Sequence, residues 1–267
     1  AFLHLFEPHA PYEAPEPFRS RFADPYDAEV AAADTAVGVF LDGLKRRGLY
    51  EKSLVVFLSD HGEGLGDHGE EEHGVFLYRE ALQVPLLVKL PSAKAGERPP
   101  HAGTRVETPV QLLDVLPTVA DVVGLPGFIP PEGTVSLARL AAGGAAPERR
   151  LFAETFYPRI RFGWSELRSV VDGTWHFVDA PRPELYDLAT DPGETKNRIE
   201  EKAGPVRAMM AEAERRRSPF VEPSAVGEEE AKKLASLGYV TMTTAASGAL
   251  PDPKDEIGTL EQLKRGL

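Results

Sequence analysis

Apolar residues in this chain come in short continuous runs, separated by polar stretches rich in proline and glycine. The first run, residues 1–6, reads as a buried strand. It stops at Glu7-Pro8-His9-Ala10-Pro11-Tyr12, where proline removes a backbone donor and fixes φ. A Pro-rich loop is predicted to about Pro25. From Asp27 to Arg47 the pattern turns helical: Val30, Val37, Phe40, Leu41 and Leu44 fall on one face at spacings of 7, 3, 1 and 3, and Gly48 closes the helix. Leu54–Leu58 is apolar without alternation, as is most of Val84–Leu90, which suggests strands covered on both faces, as in a parallel sheet. A further helix is predicted between Gln111 and Val123. The alternation of strand and helix predicts an α/β fold with a mostly parallel sheet sandwiched by helices.

The pattern changes at residues 141–150, an Ala/Gly-rich connector. Short strands follow at Leu151–Phe156, Glu166–Val171 and Thr174–Val178, with Asp172-Gly173 as the turn signal between the last two. A helix is predicted from about Lys196 to Arg217. The expected organisation is an α/β unit over 1–145, a small antiparallel sheet plus helix over 146–217, and an extended tail over 218–267 with a short helix near Glu228–Leu237. No internal repeat is present.

Composition narrows the classes of function. The chain has 267 residues, 42% hydrophobic and 27% charged, which is ordinary for a globular domain. Its net charge of −12 argues against a nucleic-acid binder, which needs a basic face for phosphates. The absence of cysteine excludes disulfides, zinc–thiolate sites and a cysteine nucleophile encoded in these residues. No run of 18 apolar residues occurs, so no membrane-spanning helix is expected. The chain opens without Met on a strand-like segment, and the expectation is a piece of a longer protein.

The densest chemistry lies in Ser59-Asp60-His61-Gly62-Glu63-Gly64-Leu65-Gly66-Asp67-His68-Gly69-Glu70-Glu71-Glu72-His73-Gly74. In open α/β sheets, ligands bind beyond the carboxyl ends of the strands. Asp60 and His61 leave a strand at that end, and a carboxylate oxygen and an imidazole nitrogen there can share a divalent cation. His73 follows His61 by 12 residues, enough to loop back to the same pocket. The same local pattern also fits a capping arrangement. His68 and Glu70–Glu72 read most simply as a solvated loop, His9 as a turn residue between prolines, and His4 as a hydrogen-bonded core histidine. Nothing singles out His101 or His176.

Four separated segments together resemble the sulfatase family of the alkaline phosphatase superfamily. They are His4 with Glu7-Pro8-His9-Ala10-Pro11-Tyr12; Tyr26, Glu29, Asp34 and Gly38 through Leu44 with Gly48-Leu49; Val55–Glu63 with His73-Gly74 and Tyr78-Arg79-Glu80; and Glu184–Leu188 with Asp191-Pro192-Gly193-Glu194 and Asn197. Their order resembles the second half of such enzymes, over roughly residues 1–215. The implied fold is then the later half of the α/β sheet, followed by the small antiparallel sheet and helix.

The resemblance implies roles. Asp60 and His61 match the later pair of metal ligands, for calcium in most sulfatases and for manganese or zinc in relatives. His9 matches the histidine that contacts the transferred group or protonates the leaving oxygen. His73 stands where many sulfatases place a lysine against the sulfate. The implied activity is metal-dependent hydrolysis of sulfate esters, with carbohydrate as one substrate class, and the implied location is exported, periplasmic or secreted. The family's early Asp-Asp pair and its Cys-x-Pro-x-Arg segment, whose cysteine becomes formylglycine, are absent from these residues. The expectation is that nucleophile and remaining ligands belong to an N-terminal half outside them, and that this chain alone is inactive. Two alternatives stay open: a phosphodiester or phosphonate hydrolase or head-group transferase of the same superfamily, and a non-catalytic fragment or pseudoenzyme. Leu237-Gly238-Tyr239 and Pro251–Asp255 resemble the stretch that precedes helical repeats in some bacterial members, which implies a parent continuing past Leu267.

Overall fold

The computed structural model describes residues 1–94, 96–221 and 249–266. Helix α1 (Phe18–Arg21) is one turn, and α2 (Pro25–Arg46) is the long helix predicted from its periodicity. Asp24 caps α2 by accepting from Tyr26 N at 2.9 Å, and proline occupies its first turn, where a missing N–H costs nothing. Strand β1 (Val55–Leu58) leads through a long loop and the one-turn α3 (Arg79–Leu82) into β2 (Leu86–Lys89). Then come α4 (Val115–Val123) and α5 (Leu137–Ala141).

Three expectations about the sheet are corrected. β1 and β2 pair antiparallel, with Leu58 opposite Leu86 and Val55 opposite Lys89. The pair is not covered on both faces: Phe57, Leu58 and Leu87 are exposed, and no residue of either strand is fully buried. Continuous apolarity is also silent about direction. A parallel pair needs a crossover that returns the chain to the starting end. The segment between Leu58 and Leu86 instead folds back at the end where β1 finishes, with no helix longer than the four residues of α3. Residues 1–6 form no ladder among the described residues, and Phe2 (90% exposed) and Phe6 stand in solvent. A strand is a property of two segments, and apolar residues alone do not supply the second. His4, expected in a core, is exposed and stacks on Phe2.

The second sheet is a four-stranded antiparallel meander: β3 (Leu151–Thr155), β4 (Leu167–Asp172), β5 (Trp175–Asp179) and β6 (Glu184–Asp187). One-turn α6 (Tyr157–Phe162) bridges β3 and β4, and Gly173 at φ +61° makes the tight turn from β4 to β5. Side chains alternate across this sheet. Leu167, Val178 and Tyr186 face a core with Val75, Phe76, Leu77, Tyr78 and Ile257. Val170, Phe177 and Leu185 face Met209 and Ala213 of α7 (Ala203–Arg215). The sheet is therefore packed between α7 on one side and, on the other, residues 75–78 and α8 (Pro253–Gly266), which carries Ile257.

Helix α7 starts later than its periodicity suggests, because side chains compete for the preceding backbone. Asp191 accepts from Thr195 N and Lys196 N, and Asn197 Oδ1 accepts from Leu185 N and Ile199 N, which holds 191–199 as a loop against β6. The tail helix expected at Glu228–Leu237 lies outside the described residues.

Near the end of α7, Glu212 accepts from Arg215 Nη2 at 2.7 Å and Arg216 Nε at 2.6 Å, which lowers its pKa to about 2. A depressed carboxylate stabilises the fold above its ordinary pKa, and the gain disappears as pH falls through the folded value. Glu212→Gln should lower stability by about 1 kcal/mol near neutral pH, after allowance for solvent screening, and the deficit should shrink below about pH 4. Urea midpoints of both proteins across that range check it; a pH-independent deficit would contradict it.

Candidate active site

Beyond the end of β1 the chain turns at Ser59-Asp60-His61. Ser59 Oγ donates to the His61 carbonyl at 2.5 Å, and His61 N donates to Asp60 Oδ1 at 3.1 Å. His61 Nδ1 lies 2.9 Å from the Gly62 carbonyl. A carbonyl only accepts, so Nδ1 carries the proton and Nε2 keeps its lone pair, the arrangement found behind metal-ligating imidazoles. That Nε2 lies 3.7 Å from Asp60 Oδ1, and both side chains are open to solvent. Nitrogen and oxygen donors at this separation fit one shared divalent cation. Among the described residues no set of three or more His, Cys, Asp or Glu side chains is arranged to hold an ion, so a cation here would need donors besides these two.

His9 and His73 gather at the same place. The His61 and His73 ring centroids are 4.1 Å apart, and those of His9 and His73 are 5.3 Å apart. His9 Nδ1 lies 2.7 Å from the Ala10 carbonyl, which leaves Nε2 as its working atom, and Phe6 stacks on the ring at 4.4 Å. His73 Nδ1 lies 3.0 Å from Glu63 Oε1, a buried carboxylate whose hydrogen bond raises the imidazole pKa against the effect of burial. A neighbouring carboxylate favours the protonated imidazole, the form that can hydrogen-bond an anion.

The loop owes its shape to groups that the sequence pattern gives no structural role. Glu29, on α2 and 3% exposed, accepts from His9 N at 3.0 Å and Glu13 N at 2.7 Å, and so ties the His9 loop down. Glu70, expected in a solvated loop, is buried and accepts from Val75 N and Phe76 N at 2.8 and 2.9 Å. His68, also expected in solvent, is half-buried: its Nδ1 meets Glu80 Oε1 at 2.6 Å and its ring stacks on Tyr78 at 3.8 Å. Buried carboxylates tie loops down because an unpaired backbone N–H is costly to bury, but they look like surface acids in a one-dimensional pattern.

Gly62 marks the closest approach. Its N–H donates to the Ala81 carbonyl at 2.8 Å, and a Cβ there would lie 1.9 Å from the Glu80 carbonyl oxygen. Gly62→Ala must therefore push α3 away from the loop. The expected cost is about 3 kcal/mol, the upper end for overpacking, because backbone has to move. A denaturant midpoint unchanged from wild type would contradict it.

With this geometry in view, comparison with known proteins supplies the lineage. The sulfatase family model matches residues 1–125. Choline-sulfatase of Rhizobium meliloti is 34% identical over 195 residues, which cover 70% of this chain and 35% of that enzyme. Iduronate 2-sulfatase of Mus musculus is 33% identical over 149 residues, 49% of this chain and 26% of that enzyme. Among solved structures, the phosphonate monoester hydrolase of Agrobacterium radiobacter superposes with a TM-score of 0.54 at 28% identity, covering 72% of this chain and 39% of its own. BT4656, solved in complex with its substrate D-glucosamine-2-N,6-O-disulfate, superposes with a TM-score of 0.59 at 23% identity, over 72% of this chain and 39% of its own. Residues 1–125 are therefore sulfatase-like, and the similarity to sulfatases runs over 70% of the chain. The chain spans about a third of the length of the curated relatives it matches.

Proposed function

We propose that these residues form part of the active site of a metal-dependent sulfuric ester hydrolase. The observation that carries this reading is the convergence of Asp60, His61, His73 and His9 at the end of β1. Asp60 and His61 Nε2 would hold the cation, with Ca2+ favoured by family and Mn2+ or Zn2+ as the alternatives for an Asp-His donor pair. When bound, such a cation neutralises charge that builds on the sulfuryl oxygens. His73, whose pKa Glu63 raises, would bind and orient the sulfate. His9 Nε2 is placed to deliver a proton to the departing alcohol, which matters most for poor leaving groups such as sugar hydroxyls.

No cysteine and no Ser- or Thr-x-Pro-x-Arg segment occurs in these residues, so this reading requires the nucleophile, formylglycine, and the other ligands to be supplied from outside them. The relatives hydrolyse or bind sulfated small molecules and sugars, which supports a sulfated carbohydrate or small alcohol as substrate. Family resemblance favours export to the periplasm or medium.

A second reading, hydrolysis of a phosphonate or phosphodiester, is favoured by the 28% identity to a phosphonate monoester hydrolase. Asp60 and His61 serve either anion. Parallel assays of the purified complete protein on a chromogenic aryl sulfate and an aryl phosphonate separate the two. Faster sulfate release supports the first reading and faster phosphonate release the second. No turnover of either, with the nucleophile present, would favour a non-catalytic role.

A further inference from the structure

The small sheet and the site loop meet at one buried carboxylate. Glu194, 1% exposed, lies just past β6; its Oε1 is 2.5 Å from His176 Nδ1 on β5, and its Oε2 accepts from Arg79 N at 2.5 Å. Its backbone carbonyl faces His68 Nε2 at 3.3 Å. Arg79 opens α3. Within the same turn Ala81 accepts from Gly62 N, and the Gly62 carbonyl holds His61 Nδ1. His176, Glu194, Arg79, Ala81, Gly62 and His61 thus form a continuous route of directional bonds and single turns of backbone.

Burying a carboxylate is costly, and apolar residues would join the two units at less expense. The apolar joint is already there, in Val75–Tyr78 against Leu167, Val178 and Tyr186. What a carboxylate adds is direction: it fixes where the first N–H of α3 points.

We propose that Glu194, held by His176, is a positioning residue for Asp60 and His61. It sets α3 and, through the Ala81–Gly62 bond, the backbone that aims the His61 ring. The proposal rests on reading Asp60 and His61 as the ligand pair.

The chain has seven histidines, so the ring signals of His61 can be assigned in the full chain by substitution and followed by NMR. Two comparisons isolate the route. Arg79→Pro deletes the N–H that Glu194 holds, at a first-turn position where proline is tolerated, behind a Tyr78 already extended at ψ 171°. Arg79→Ala removes the same side chain and keeps the N–H. Glu194→Ala removes the carboxylate, and Glu194→Gln keeps an acceptor for Arg79. The expected result is shifted and broadened His61 signals in Arg79→Pro and Glu194→Ala, and near-wild-type signals in Arg79→Ala and Glu194→Gln.

Equal His61 spectra in the proline and alanine variants at Arg79, or unmoved His61 signals in a folded Glu194→Ala, would overturn the proposal. So would unfolding of both Arg79→Pro and Glu194→Ala, which would make the carboxylate a support of the fold and not an aiming device. If Glu194→Ala alone does not fold, the Arg79 pair decides. None of these readouts needs turnover, so failure of the hydrolase reading and failure of the positioning role are separately visible.

Discussion

Alanine in place of Asp60 or His61 should lower kcat/KM of the complete protein for a sulfate ester by roughly 1,000-fold or more, because each removes one donor to a cation on which charge neutralisation depends. Both side chains are open to solvent, so the loss should come without a change in thermal midpoint. His9→Ala provides the internal comparison. A proton donor contributes about 10²–10⁴-fold and acts on leaving-group departure, so its loss should fall hardest on alkyl sulfates and lightly on activated aryl sulfates. The Asp60 and His61 variants should lose both substrates equally, since neutralised sulfuryl charge is common to them. If Asp60→Ala and His61→Ala together leave turnover intact, the assignment of the site is wrong.

The largest effect on stability is expected far from that site. Asp114 has no solvent exposure and accepts from Arg149 Nη1 and Nη2 at 2.7 and 2.6 Å, from Gln111 N, and from Val135 N. Its carboxylate joins the start of α4 to the segment leading into α5 and to the connector before β3. Arg149→Ala would leave a buried carboxylate without its cation and should cost about 3–5 kcal/mol. A double variant, Arg149→Met with Asp114→Asn, removes both charges and should cost less than the sum of its parts, because neither partner is left stranded. Denaturant midpoints measure both. A loss under about 1 kcal/mol for Arg149→Ala would mean the pair is solvated in practice.

Arg149 also shows where reading a sequence stops. It sits in an Ala/Gly-rich stretch with every mark of a connector, and only the fold brings it 35 residues back to Asp114. Glu29, Glu70 and Glu194 share that property: each is a buried acid whose partners are backbone N–H groups or a histidine, and composition scores them as surface charges. What was legible is what depends on neighbours along the chain. The periodicity of α2, the turn at Asp172-Gly173 and the two apolar strands are local signals. Strand direction is not local, and neither is the partner that residues 1–6 would need. At the site, the resemblance singled out His9, Asp60, His61 and His73, and the structure brings the three rings together across 64 residues of chain. The carboxylates that hold the rings were not legible, because a staple is defined by what it reaches.

If Asp60 and His61 hold a divalent cation where His73 and His9 meet the substrate, the ion can be located. A crystal of the complete protein grown with Mn2+ should show an anomalous peak about 2.0–2.6 Å from both an Asp60 carboxylate oxygen and His61 Nε2. A bound ion that leaves either side chain uncoordinated, in a protein that still releases sulfate, would contradict that placement.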